Sequence, residues 1–158
     1  MTDGTIDSFL TLEDRDWARE QKTSLLAAGH DTFLRQVCEP LRDASRIFVS
    51  ELLLNGTPIA SAINFTAGNN GFAFKIGWDQ KLAKVSPGIV NELHFMRNVG
   101  QSCANLAQID SGASAGSFID KIWPDRTTIS SGIFVTSCRG RWMARAIELA
   151  RACKRISQ

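Results

Sequence analysis

The sequence predicts an α+β fold built on a mixed sheet, and three observations carry that reading. Apolar runs between Arg46 and Ile76 are broken by the turn-forming stretches Asn55-Gly56 and Ala67-Gly68-Asn69-Asn70-Gly71, the pattern of an antiparallel meander. Two helical patterns precede the meander, and strand and helix patterns alternate after it. A run of strands followed by such alternation indicates helices layered on a mixed sheet.

Residues from about Asp7 to Glu20 read as the first helix, with Asp7 or Ser8 as cap and Phe9, Leu10 and Trp17 on the buried side. Glu13 lies one turn from Trp17; a carboxylate beside an indole suits a substrate contact, and an exposed helical glutamate is the plainer alternative. A second helix begins near His30-Asp31-Thr32, with Leu34, Val37, Cys38 and Leu41 as its stripe and Pro40 placed to kink or shorten it. Arg46 to Leu54 is almost continuously apolar, as expected of a strand covered on both faces. The return strand, Pro58 to Phe65, puts Ile59, Ile63 and Phe65 on one face and the small Ala60 and Ala62 on the other, where a helix can pack closely. In the third strand Phe72, Phe74 and Ile76 alternate with Ala73 and Lys75, and Gly77 stops the run.

A loop then leads to Ser86-Pro87-Gly88, which opens an amphipathic helix: Ser86 can cap, and Pro87 suits the first helical position, where no amide hydrogen is needed. Ile89, Leu93 and Met96 recur at helical spacing with Val90 and Val99 beside them, while Asn91, Glu92, Arg97 and Asn98 face away. The amides of Gly88, Ile89 and Val90 then point free, as a phosphate or other anion would require. Beyond it come a strand from Ala104 to Ile109, a small-residue loop through Gly116, a short helix from Ser117 to Trp123 and a turn at Pro124-Asp125. A last strand from Thr127 to Ser137 leads into a C-terminal helix with Trp142, Ala146, Leu149, Cys153 and Ile156 inward. The small-residue loop lacks the lysine of a P-loop and the glycine spacing of a dinucleotide fingerprint.

The 158 residues, 44% hydrophobic and 22% charged, fit a single domain over 1–158: N-terminal helices to 45, a sheet core with helices over 46–137, and a basic helix from 138. No apolar run approaches the roughly 20 residues that cross a bilayer, and the acidic start is the reverse of a signal peptide, so a soluble cytoplasmic protein is expected. Cys38, Cys103, Cys138 and Cys153 show no metal-ligand spacing and only His30 and His94 accompany them, which argues against a metal site. From Arg139 onward six basic residues face one acid, Glu148. That charge could meet nucleic acid or an acidic partner; a solvated face with cations near the helix end is the commoner cause.

With these elements in place, Phe74-Lys75-Ile76-Gly77-Trp78-Asp79 followed by Lys84-Val85-Ser86-Pro87-Gly88 resembles the "YK-x-x-Y/F-D … Y-SPG" signature of CelD-like acetyltransferases. These are cellulose-biosynthesis-type members of the GNAT superfamily, related to the FemAB transferases. Phe9-Leu10-Thr11-Leu12-Glu13 with Trp17 is similar to their "FL-x-LE-x-x-x-W-K" stretch, Ala18 standing where lysine is usual. Asp110-Ser111-Gly112-Ala113 and Ile122-Trp123-Pro124-Asp125-Arg126 look like one branch of the family, so the likeness covers about residues 6 to 137. It implies a GNAT-like, mostly antiparallel mixed sheet flanked by helices on both faces, and acetyl-CoA or another acyl-CoA as acyl donor. It also implies that the strand of Phe74 and Ile76 pairs with the pantetheine arm and that Lys84, Ser86, Gly88, Ile89 and Val90 hold the pyrophosphate. Glu13 and Trp17 become substrate contacts. Family members are commonly about twice as long with two related halves, and this chain matches the second; a solo domain, a homodimer or split pair, and a remnant all fit.

Acyl transfer to an amine needs a base for the ammonium proton, a polarised thioester carbonyl and often an acid for the departing thiolate. The chain contains no tyrosine, the usual GNAT acid, and the family's "GD-x-x-YK" segment is matched only loosely by Ser114, Ser117 and Lys121. Asp110 is the candidate base, Ser111 or Cys103 the candidate donor to the thiolate, and Lys75 a carbonyl or carboxylate contact. Against these stand a loop-capping Asp110, a turn-filling Ser111 and a solvated Lys75. The leading expectation is an acyl-CoA-dependent N-acyltransferase acting on an amine. An aminoacyl-tRNA-dependent transferase, supported by the basic helix, and a non-catalytic partner domain are the alternatives.

Overall fold

The computed structural model describes residues 3–15, 23–113, 116–128 and 134–156. Asn55 and Gly56 both adopt positive φ, the backbone of a two-residue hairpin turn whose twist matches its strands. They join β1 (Ile47–Leu54) to β2 (Thr57–Ala67), and a turn at Gly68-Asn69 joins β2 to β3 (Asn70–Trp78). The four strands lie in the order β1-β2-β3-β4, antiparallel except that β4 (Gln108–Asp110) runs parallel to β3. The expected mixed, mostly antiparallel sheet is therefore present.

The chain divides into two compact units, Met1–Pro124 and Asp125–Gln158. In the first, α1 (Asp3–Glu13) and α2 (Asp31–Asp43) cover one face of the sheet: Ile6, Phe9, Leu10, Leu34 and Cys38 are buried with Ile63, flanked by Ile47, Val49 and Phe65. α3 (Pro87–Ser102) covers the other face, where Phe95 stacks on Phe48 at 5.5 Å and the helix packs on β2, whose Ala60 and Ala62 are buried. The small alanines give that helix its close seat.

Several elements depart from the sequence reading. α1 starts at Asp3, so Asp7 and Ser8 are interior; the expected stretch past Asp16, with Trp17, lies outside the described residues. Pro40 does not break α2, because it falls in the last turn and the helix closes with the Ala44 amide on the Pro40 carbonyl, 3.1 Å. β1 is an edge strand, and its continuous apolar run is covered only near its start; Leu53 and Leu54 remain exposed. β3 does not stop at Gly77 but runs on to Trp78.

The buried face of α3 is rotated from the expected one: Ile89, Met96 and Val99 are half-buried and Arg97 is exposed as expected, but other positions differ. Asn91 (1% exposed) and Glu92 (7%) turn inward with Phe95, while Val90 and Leu93 are exposed. Buried polar groups must find partners, and here they do. Asn91 Nδ2 donates to Ser50 O and Oγ at 3.2 and 3.1 Å, and Trp123 Nε1 donates to Glu92 Oε2 at 3.3 Å.

Residues 117–123 form a chain of turns and no helix. Asp120 is bonded to the Gly116 amide at 2.7 Å, which competes with helix bonding, and the Trp123 indole is held by Glu92. β4 has three residues, since Cys103–Leu106 closes a turn first. In the second unit, 127–128 and 134–137 are irregular, not the expected strand, and 129–133 lie outside the described residues. α4 (Cys138–Ile156) begins where Ser137 Oγ accepts from the Gly140 amide. Its Trp142, expected inward, is 74% exposed; Ala146 is exposed as well, and the side chains of Leu149, Cys153 and Ile156 lie outside those described.

Two measurements test this packing. A Cβ at Gly77 would stand 2.5 Å from the Glu13 amide nitrogen, whereas one at Gly100 meets nothing within 4 Å. Gly77→Ala is expected to lower unfolding free energy by about 1–3 kcal/mol in urea titrations, and Gly100→Ala to leave it unchanged or raise it by up to about 1 kcal/mol; equal effects would contradict the close approach. Burial pushes the Glu92 carboxyl above its ordinary value, opposed by the indole hydrogen bond. Between the ordinary value and the raised one the native state binds more protons than the unfolded state, so this group's contribution falls as pH rises through that window. Glu92→Gln should match the parent below about pH 4 and exceed it in unfolding midpoint above the window; parallel pH profiles would refute this.

Candidate active site

The site is built around β3, which serves three neighbours at once. On its inner edge the register with β2 slips between Ile63↔Lys75 and Asn64↔Ala73, so Phe74 has no partner across the ladder. Such a bulge bends and twists a strand locally. On the outer edge β4 pairs only with Asn70–Phe72. Past that point β3 leaves β4, and from Phe74 to Trp78 its outer edge has no strand partner among the described residues. Gly112 covers the last paired stretch: a Cβ there would stand 3.2 Å from the Ala73 carbonyl. An open strand edge of this length can bond an extended ligand through its backbone.

At the far end of β3, Asp79 caps the 3-10 helix Gln80–Val85 by accepting from the Lys81 amide at 3.1 Å. Burial raises the Asp79 carboxyl, but its bonds to Arg15 and the Lys81 amide outweigh this and hold it below its ordinary value. Ser86 is left-handed (φ 48°, ψ 59°), so its hydroxyl does not cap α3 and instead donates to the Ala83 carbonyl at 3.4 Å. Pro87 takes the first helical position as expected. The Val90 amide is used, donating to Ser86 O at 3.1 Å, which leaves the amides of Gly88 and Ile89 without an acceptor among the described residues. A Cβ on Gly88 would lie 3.1 Å from Trp78 Cδ1. Glycine is thus needed there for helix-on-strand packing.

On the opposite face, the C-terminal turn of α1 lies against β3 at Gly77. Glu13, with a side chain 2% exposed, forms an ion pair with Lys75 and accepts from the Leu25 amide at 2.8 Å. Lys75 also donates to the Thr23 carbonyl at 2.9 Å. Arg15 pairs with Asp79 at 2.6 Å, and Gln80 Nε2 donates to the Arg15 carbonyl at 3.4 Å. Glu13, Arg15, Thr23, Lys75 and Gln80 border a half-open cavity of about 210 Å³, bounded also by Leu12, Ile76 and Trp78.

Asp110 faces Phe72 where β3 and β4 part. Its Oδ1 accepts from the Gly112 amide at 2.8 Å, and Ser111 Oγ accepts from the Ala113 amide at 3.3 Å, so both side chains hold the turn and both are at least partly solvent-accessible. Burial pushes the Cys103 thiol up. The strand therefore brings Phe74, Lys75 and Ile76 into one stretch, with Glu13 on Lys75, Asp110 and Ser111 at one end and Ser86, Gly88, Ile89 and Val90 at the other; Lys84 lies exposed in the 3-10 helix. Trp17 lies outside the described residues. The sequence reading missed Arg15, Asp79 and Glu92. Arg15 and Asp79 are far apart in the chain and meet only because α1 docks on β3. Glu92 follows Asn91 on a helix whose apolar residues suggested the wrong face.

Among the described residues no group of acids, histidines and cysteines could hold a metal ion, and no helix is long and apolar enough to cross a membrane. No curated protein matches the chain. A family model, the acetyltransferase (GNAT) domain, matches residues 2–117, a span that runs from α1 past β4 and includes the bulge, the open edge and the cavity. With that match over most of its length, the chain belongs to the acetyltransferase (GNAT) domain family, whose members generally use an acyl-CoA as co-substrate.

Proposed function

We propose that the protein is an N-acyltransferase of the CelD-like, FemAB-related branch that moves an acyl group, most simply acetyl, from CoA to an amine. The observation that carries this is the open outer edge of β3 beyond the Phe74 bulge, which leads to the start of α3. The residues present fit CoA. Phe74 and Ile76 offer backbone groups and apolar side chains to a pantetheine arm. The Gly88 and Ile89 amides offer an anion site, with Lys84 and Ser86 just before them and Val90 closing the turn. Gly88 contributes through its amide and its lack of a side chain, since its α-carbon is packed on Trp78.

The amine nitrogen attacks the thioester carbonyl carbon. A C–N bond forms as the C–S bond breaks, the amine gives up a proton and the departing thiolate takes one. Asp110, exposed where β3 and β4 part, is the base in this reading; Oδ1 accepts from the Gly112 amide, which leaves Oδ2 to take the proton. Ser111 retains its hydroxyl proton while Oγ accepts from Ala113, so it can donate to sulfur. Lys75, fixed by Glu13, orients the acceptor; Trp17, the other substrate contact the resemblance implies, lies outside the described residues. The free thiols of Cys38, Cys103 and Cys138 suit a reducing compartment, and we assign the reaction to the cytoplasm.

Acetyl-CoA at about 100 times its dissociation constant should raise stability by about 2.7 kcal/mol, read as a thermal shift. Lys84→Glu should weaken that shift and its salt dependence, being exposed and without a structural partner in the described residues. Asp110→Asn keeps the turn acceptor and should lower turnover by about 10²- to 10⁴-fold with CoA binding intact. No shift with any member of an acyl-CoA panel would overturn the assignment.

A further inference from the structure

The cavity between α1 and β3 carries two cations, and each is held by a carboxylate of its own. Lys75 spends donors on Glu13 and on the Thr23 carbonyl, and an ammonium has three. Arg15 gives one guanidinium nitrogen to Asp79, and a guanidinium has five N–H donors. Asp79 does not line the cavity, whereas Arg15, Lys75 and the buried Glu13 do. Asp79 therefore anchors the guanidinium from behind. Both side chains stay about one third exposed, at 37% for Arg15 and 33% for Lys75, and both border the cavity.

From this geometry we infer that the cavity is the acceptor site and selects an amine that also carries a carboxylate, the class of a free α-amino acid; this rests on the acyl-transfer reading. Two fixed cationic donors on one small cavity match the two oxygens of a carboxylate. Of the remaining wall, Leu12, Ile76 and Trp78 are apolar and suit the carbon skeleton of a small side chain, while Thr23 and Gln80 add polar groups. At about 210 Å³ the space falls below the roughly 300–1,000 Å³ of drug-sized ligand pockets, which favours a molecule of amino-acid size over a peptide or nucleotide. Lys75 follows Phe74 directly, so the cavity adjoins the stretch of β3 where the acyl-CoA would lie. A phosphate of CoA is the other anion such cations could take. The α3 start already offers two free amides to such a phosphate, but its Gly88 packs on Trp78 and Ile76, which also border the cavity, so binding by an Arg15→Gln variant separates the two anions.

The test titrates the full chain, without CoA, with glycine, alanine and serine, with the matched amines lacking the carboxylate, and with the matched acids lacking the amine, read by calorimetry. Amino acids should bind at least tenfold more tightly than the decarboxylated amines. Arg15→Gln should weaken amino-acid binding at least tenfold while the thermal shift given by CoA is unchanged. Lys75→Gln strands the buried Glu13 carboxylate, so the paired variant Glu13→Gln/Lys75→Gln supplies the same test with no uncompensated charge. Equal binding of amines and amino acids, or no binding of any amino acid, overturns the inference. So does an Arg15→Gln variant that loses the CoA shift and keeps amino-acid binding, which would make the cavity a phosphate subsite. Amino-acid binding with no shift from any acyl-CoA would preserve the carboxylate site and remove the acyl-transfer reading.

Discussion

The absence of a side chain at residue 77 governs the rest of this structure. The backbone of α1 at Leu12 and Glu13 lies so close to β3 that even a methyl group at Gly77 would collide with main-chain atoms. That approach buries the Glu13 carboxylate, which would be costly without partners. Lys75, two residues back on the same face of β3, supplies the charge, and the Leu25 amide supplies a hydrogen bond. The same docking sets Arg15 beside Asp79. One contact between helix and strand thus creates both ion pairs and the cavity they border. It also fixes the chain around the Glu13 pairing, since Thr23 and Leu25 contribute backbone groups to it.

The other face of β3 follows a different rule. There Gly88 is required because Trp78 and Ile76 fill the space a side chain would take, and α3 begins against them. The strand is thus squeezed by a helix on each face, while from Phe74 on its outer edge has no strand partner among the described residues. An exposed edge is normally a hazard for sheet proteins. Here the free part is short, interrupted by a bulge and carries Lys75, all features that discourage pairing with another chain. A strand clamped on both faces and free at its edge is a rigid surface for an extended ligand, and rigidity lowers the ordering cost of binding.

The sequence carried the sheet well because its determinants are local. Asn55-Gly56 needs only its own backbone preferences to make a hairpin, and alternation in the three runs assigned the faces of β2 correctly, down to the alanines beneath α3. The failures have a common cause, which is that tertiary pairing decided them. Asn91 and Glu92 look like solvent residues until Ser50 and Trp123 are brought to them from 41 and 31 positions away. Gly77 looks like a strand terminator until α1 arrives. The bulge at Phe74 leaves no periodic mark, because one extra residue is invisible without the partner strand's register. Ser86 is a cap by composition and not by conformation. For the site, Phe74, Lys75, Ile76 and the Ser86–Val90 turn were legible through the strand–SPG pattern, whereas Arg15 and Asp79 were not, being joined only in space.

The thiols bear on the route of acyl transfer. A covalent route would pass the acyl group first to a cysteine, which must be a thiolate to attack. In the unit that contains the sheet, burial raises both Cys38, against a smaller opposing effect of Arg42, and Cys103. Both are therefore thiols at neutral pH. The chain also has no tyrosine to act on a leaving group. The groups left are an exposed carboxylate and a hydroxyl at the divergence of β3 and β4, together with cations across the strand. On the proposed reading these suit a single displacement in which amine and thioester are bound together, the amine approaching from the α1 side and the pantetheine lying along the edge. Such a reaction depends on β3 holding both ligands in register. The clamp at Gly77 and the bulge at Phe74 are the two features that give the strand that shape.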